Sequence, residues 1–161
     1  MNLWQRLIGK KQTTAPVEFH GVVTDMHSHL IPGIDDGAPN MEMVLEILGL
    51  MSKLGYKKVI TTPHIMSDLY VNNATIIRNG EAEVKEAIQK AGIPIEFSAA
   101  AEYLIDEGFS KHLEAKELMT MGDNYVLVEL PYFSPPPNLK SVLFELQLAG
   151  FKVILAHPER Y

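Results

Sequence analysis

Cysteine is missing from all 161 residues, which excludes disulfide scaffolds, cysteine nucleophiles and thiolate zinc sites together. No apolar run reaches the length of a membrane span. The start, MNLWQRLIGKK, does not read as a signal peptide, because its apolar stretch is short and its positive charge comes after that stretch instead of preceding it. The expectation is a cytoplasmic protein. Positive charge is scarce as well, with 14 Lys and Arg against 20 Asp and Glu, a net of −6. Residues 1–21 hold Arg6, Lys10 and Lys11 against Glu18, so residues 22–161 carry 11 basic and 19 acidic side chains, net −8. An acidic body speaks against a general nucleic-acid coat, which needs a basic stripe, and no nucleic-acid partner is expected. Phosphate ligands remain open to it, because bound divalent cations invert a local field. No Ser-His-Asp arrangement, nucleophile elbow or glycine-rich phosphate loop is found. Apolar residues make up 47% of the chain, which excludes wholesale disorder.

Residues 1–20 read as an arm and linker, and residues 21–161 as the body. Leu3, Trp4, Leu7 and Ile8 share one face of a helix, and Lys10 and Lys11 come next. That pattern suits weak attachment of residues 1–11 to a membrane surface or a partner, or an arm lying on the protein's own core. The body alternates. Strand-like runs VVTDM (22–26), KKVITT (57–62), IEFSAA (95–100), YVLVEL (125–130) and KVILA (152–156) are separated by helical spacings over 40–54, 74–91, 110–119 and 138–149. Three helix exits, LGYKKVI, AGIPIEF and AGFKVIL, each place a glycine where a left-handed cap belongs, then a strand. Five continuous apolar strands between helices predict an α/β fold with a parallel sheet covered by helices.

The C-terminal ends of the strands carry the chemistry. His27 and His29 come after the first, His64 after the second and Glu102 after the third; Glu129 ends the fourth and His157 comes after the fifth. Parallel α/β folds build their sites at that edge. His27-Ser28-His29 points two imidazoles to one side of an extended backbone, which suits chelation. The GIDDGA turn adds Asp35 and Asp36 as oxygen donors, or simply as acids at a helix start. Glu129 inside YVLVELP is costly to bury unpaired, so it needs a cation, several donors or an exposed edge strand. Arg160, three residues after His157, can grip phosphate oxygens with a planar fork or pair with a neighbouring acid. Nitrogen and carboxylate donors without sulfur favour Mn, Fe, Co, Zn or Mg in combination. The implied chemistry is metal-assisted hydrolysis, in which bound ions generate hydroxide near neutral pH and clamp phosphoryl oxygens. LPYFSPPPN (130–138) brings Tyr132 and Phe133 to the same edge, either to flank an aromatic phosphoester or as a stiff connection, and MSDLYVNN (66–73) is a loop beside His64 suited to a lid.

DMHSHLIPGIDDG, TPH, AAEY, VLVELP and AHPERY, in this order, resemble the polymerase and histidinol phosphatase (PHP) superfamily, over about residues 22–161. The closest likeness is to its capsule and exopolysaccharide branch of manganese-dependent protein-tyrosine phosphatases. The resemblance implies a distorted (βα)7 barrel, of which about five βα units are present here, and up to three divalent metals, Mn2+ first among them. It implies His27 and His29 on the first metal, Glu102 bridging the first and second, Glu129 and His157 completing the second, and Asp36 and His64 on the third. Asp36 and Arg160 are the implied catalytic pair, Arg160 as a phosphate-binding arginine. The implied substrate is the phosphotyrosine tail of a membrane-linked bacterial tyrosine kinase, met at the inner face of the membrane, and a homo-oligomer is compatible with all of this. The family also closes its site with a C-terminal Asp-x-His. No such pair comes after HPERY, so a fragment of a longer protein is expected. The competing readings are another PHP phosphoesterase (a histidinol phosphatase or nuclease-like enzyme) and a non-catalytic metal-binding module.

Overall fold

A computed structural model describes residues 21–115 and 117–161. The arm expected over residues 1–20, with its membrane-binding face, lies outside the described residues. The elements are β1 (Thr24–Asp25), α1 (Met41–Lys53), β2 (Lys58–Thr61), β3 (His64–Ile65), α2 (Ala74–Ala91), β4 (Glu96–Ala99), β5 (Glu102–Leu104), α3 (Phe109–Glu114), β6 (Tyr125–Glu129), α4 (Leu139–Leu148) and β7 (Lys152–Leu155), closed by a 3-10 turn at Pro158–Arg160.

Every strand pairing is parallel. One sheet runs β1-β2-β4 and the other β3-β5-β6-β7. The strands expected at 57–62 and 95–100 end at Thr61 and Ala99, and beyond each, outside the expected bounds, pairing breaks and resumes as a second strand, β3 and β5. Pro63 explains the first break, because it has no N–H to give and a ring that turns the chain. Hydrogen bonding continues across the bend: Ala100 N donates to Thr61 O at 2.8 Å and Glu102 N to Pro63 O at 3.0 Å. The consequence is functional. His64 and Glu102 are not loop residues beyond strand ends; they open the second strands and sit side by side as register partners.

The helices form where capping and periodicity agree. Asn40 and Asn73 are N-caps whose side-chain oxygens accept from Met43 N and Ile76 N, each at 3.0 Å. The glycines of the three helix exits, Gly55, Gly92 and Gly150, all take positive φ, the conformation that lets the chain leave the helix without a Cβ clash. Val44 and Leu48 of α1 and Val84 and Ile88 of α2 pack on Val59 of β2 and Phe97 of β4. A second core joins Ile77, Tyr103, Phe109, Val126, Val128, Val142 and Leu146. Tyr103 is buried with its hydroxyl accepting from Met119 N at 2.8 Å, and burial pushes its pKa up to about 12. No helix among the described residues is long and apolar enough to cross a membrane.

Candidate metal centre

The segment after β1 is laced to the end of β2. Thr61 Oγ1 donates to Ser28 O at 2.7 Å and accepts from Leu30 N at 2.8 Å, and Thr62 N donates to Ser28 O at 2.6 Å. The chain bends at His27, and both imidazoles of His27-Ser28-His29 reach the same carboxylate. His27 Nε2 lies 3.0 Å and His29 Nε2 3.1 Å from Glu102 Oε2. Glu102, just beyond the end of β4 and at the start of β5, meets a side chain from the loop after β1, 75 residues earlier.

Glu102 is the hub. Its side chain is 0% exposed, and its other oxygen lies 3.3 Å from His157 Nε2. His64 Nδ1 sits 3.5 Å from Glu102 and 3.8 Å from Glu129. The rings of His27 and His157 are 4.8 Å apart, and those of His29 and His64 4.5 Å. Glu129 is buried on β6, between β5 and β7, so the edge-strand alternative for it fails. Its Oε1 instead accepts from Arg160 Nη1 at 2.6 Å. His157 holds a left-handed backbone, φ 48°, at the turn from β7 into Pro158. Such strain costs on the order of 1–3 kcal/mol and gathers at functional sites. Tyr161 fixes this segment to the end of β6, its hydroxyl donating to Leu130 O at 2.8 Å and accepting from Leu130 N at 3.1 Å.

The two acids of the turn part company. Asp36 is exposed, with Oδ1 3.7 Å from both His29 Nδ1 and His64 Nε2. Asp35 has a side chain only 1% exposed. It accepts from His29 Nδ1 at 2.8 Å and from the backbone N–H of His64 and Gly37, each at 3.0 Å. The sequence offered both acids as oxygen donors; the structure pairs Asp35 with His29 Nδ1, which leaves His29 Nε2 facing the cluster. Asn72 was not anticipated at all. Its side-chain amide donates to Ile34 O at 3.0 Å and His64 O at 2.9 Å, tying the turn to β3.

Electrostatics reflect this packing. Burial alone would lower the His29 pKa; bonds to Asp35 and Glu102 overcome it and raise the pKa to about 9. Burial would raise Glu102, and hydrogen bonds from His27 and His29 hold it down at about 2 instead. His64 is lowered, mainly by burial. Asp25, behind His27, is raised by burial. Asp35 is lowered: burial opposes this, and His29 with two backbone donors prevails.

A divalent cation suits this cluster. His64 Nδ1 and Glu102 Oε1 are buried with no hydrogen-bond partner, a state that costs on the order of 1–3 kcal/mol per group. Ligand atoms of three overlapping trios, His27/His29/Glu102, His29/Asp36/His64 and His64/Glu102/Glu129, lie within 4.8 Å of one another. Six of the seven residues singled out as ligands fall in these trios, with His64 instead of His157 grouped with Glu102 and Glu129; His157 joins the cluster through Glu102, 3.3 Å away. Of the remaining histidines, His20 lies outside the described residues and His112 packs on the Tyr103 ring, 5.8 Å between centroids. Tyr132 and Phe133 do not line the cleft that holds His29 and His64; they stand exposed, edge to face, 5.6 Å apart.

Asp35→Ala is expected to weaken divalent-metal binding by about 10- to 100-fold, because His29 loses the partner that orients it. Calorimetric titration measures this, and unchanged affinity refutes the assigned role.

Comparison with known proteins agrees with the geometry. The family model for capsular polysaccharide synthesis, CpsB/CapC, matches residues 23–161. The chain is 28% identical over 137 residues to the tyrosine-protein phosphatase YwqE of Bacillus subtilis, covering 84% of this chain and 54% of that protein. It is 24% identical over 138 residues to the tyrosine-protein phosphatase CpsB of Streptococcus pneumoniae, covering 85% and 57%. The chain spans about half the length of the curated relatives it matches. Among solved structures it is similar to a chain of the crystal structures of YwqE from Bacillus subtilis and CpsB from Streptococcus pneumoniae, described as unique metal-dependent tyrosine phosphatases. The TM-score is 0.78 at 28% identity, over 85% of this chain and 56% of that one.

Proposed function

Because the chain belongs to the CpsB/CapC family of capsular polysaccharide synthesis, we propose that its cluster serves the metal-dependent removal of phosphate from phosphotyrosine. The observation that carries this reading is the convergence of four imidazoles on one buried, partly unpartnered carboxylate, Glu102. The substrate is the phosphotyrosine tail of a membrane-linked tyrosine kinase, met in the cytoplasm at the inner face of the membrane. The parallel strands of residues 21–161 are part of a distorted (βα) barrel.

His27, His29, His64 and His157 with Glu102, Glu129 and Asp36 would hold the ions, manganese first among them. Ions bound there supply Lewis acidity, lowering the pKa of water and neutralising phosphoryl charge. The protein's own residues do the rest. Asp35 orients His29 through its Nδ1. Arg160 neutralises Glu129 in the free protein and turns its fork to phosphate oxygens when substrate enters. Asp36, the most exposed acid of the cluster, lines the open cleft beside His29 and His64.

Manganese-dependent phosphate release from a phosphotyrosine peptide, compared with histidinol phosphate and a DNA 3′-phosphate, tests the proposal on the intact protein. Preference for the peptide supports it. Turnover without metal, or preference for another ester, refutes it.

Protonation sets a second test. A metal takes a neutral imidazole, and His29 is protonated in the metal-free protein below about pH 9. Metal uptake at neutral pH therefore releases the His29 proton, and apparent affinity rises about tenfold per pH unit until about pH 9, then levels. Calorimetry in buffers of different ionisation enthalpy counts the protons. Affinity independent of pH between 7 and 9 contradicts the arrangement.

A further inference from the structure

Beside the charged cluster the cleft has an apolar wall. Tyr70 lies flat on His64, with ring centroids 5.4 Å apart and planes within 8°. Met66 and Leu69 from the same loop, and Met43 and Ile47 from α1, line the cleft beside it. Leu69 and Met43 are markedly exposed, at 68% and 41%. Exposed apolar side chains at the rim of a charged site have nothing to offer a phosphoryl group; they suit the organic part of a phosphoester.

The loop carrying Tyr70 is braced through its backbone and its neighbours, not through the Tyr70 ring. Met66 N and Asn72 N both donate to Tyr70 O, at 3.0 and 2.7 Å. Ser67 donates to Asp106 through its N–H at 2.7 Å and its hydroxyl at 2.8 Å. Asp106 also accepts from Gly108 N at 2.9 Å. The Asn72 side chain reaches back to His64 O. A loop tied at both ends in this way is a fixed surface more than a lid. Tyr70 lies on His64 and lines the same cleft as Asp36, His157 and Arg160.

We propose that Tyr70 is a specificity-determining residue, the face against which the aromatic ring of an aryl phosphomonoester lies while its phosphate sits at the cluster. Leu69 and Met43 cover the edges of that ring. The site thereby prefers aryl over short alkyl phosphates, a selectivity that deepens the phosphotyrosine reading and rests on it. Tyr132 and Phe133, exposed and outside the cleft, take no part.

Binding separates this inference from the reading beneath it. Affinities of phenylphosphonate, methylphosphonate and inorganic phosphate are measured in manganese-supplemented buffer for the unsubstituted protein, Tyr70→Ala and Tyr70→Phe. Because the loop is held by backbone bonds and by Asp106, Tyr70→Ala is expected to fold, as a thermal melt verifies. The ratio of phenyl to methyl affinity falls about tenfold in Tyr70→Ala, as loss of one aromatic stack predicts, and is kept in Tyr70→Phe. An unchanged ratio in Tyr70→Ala, with phosphate still bound, overturns the role of Tyr70 and leaves the phosphatase reading standing. Failure of the unsubstituted protein to bind any of the three overturns both.

Discussion

Exchanging Glu102 for glutamine is expected to strip the ions from the protein and to cut metal-supported turnover by about 10³-fold or more, the several kcal/mol that such ions contribute. The reasoning is geometric. One carboxylate, fully buried, lies within 3.0–3.5 Å of ring nitrogens from His27, His29, His64 and His157. Glutamine keeps the volume but replaces one acceptor with an NH2 and removes the charge around which the imidazoles gather. Metal analysis after dialysis and phosphate release from a phosphotyrosine peptide report the two losses. The metal-free protein reveals the same residue through acid sensitivity. The Glu102 carboxyl is held down at about 2, against an ordinary value of 4.5. Its stabilising contribution is therefore complete above about pH 4.5 and is lost as pH falls toward 2. A Glu102→Gln protein that retains its ions and its turnover rules Glu102 out as the hub.

Gly37→Ala carries the second large effect. A Cβ at Gly37 falls onto the carbonyl oxygen, carbonyl carbon and Cβ of His29, closer than real side chains ever approach. Backbone cannot swing aside as a flexible side chain can, so either the DDG turn or the His29 segment must move. Overpacking of this kind costs about 1–3 kcal/mol, which for a chain of this length lowers Tm by roughly 3–10 °C. The functional loss is larger, because the same turn carries Asp35 and Asp36, and Ala38 N donates to His29 O at 3.1 Å. Metal affinity is expected to fall by about 100-fold or more, beyond the range of a single lost orienting bond. Thermal melts and metal titration measure both. An alanine protein with unaltered Tm and metal affinity shows that the close approach of turn and His29 segment is not needed. Gly80 makes a useful contrast, since its Cβ meets mainly the Ile31 side chain, which can rotate away at smaller cost.

The sequence disclosed the parts of this site that rest on repeated local chemistry. Each strand is a continuous apolar run, each of three helix exits carries a glycine, and each strand delivers a histidine or glutamate at one edge; those regularities are enough to place His27, Glu102, Glu129 and His157 together. It was silent where structure depends on pairs of residues. The second strands, His64–Ile65 and Glu102–Leu104, are too short to show any periodicity. Pro63 signals a stiff approach but not that pairing resumes beyond it. Asp35 and Asp36 are chemically identical neighbours, and only the tertiary fold decides that one is enclosed by three donors while the other faces solvent. The link from Arg160 to Glu129 was open among several acids until β6 and the 3-10 turn came together. Tyr70 was legible only as part of the loop beside His64, because a single aromatic gains meaning only from the ring it lies on.

Anomalous scattering from a manganese-loaded crystal of the intact protein tests the central claim most directly. Strong peaks are expected at bonding distance from Glu102 and from the ring nitrogens of His27 and His29, with further density beside His64 and Glu129. Peaks confined to other surfaces, or none within reach of Glu102, would contradict that claim.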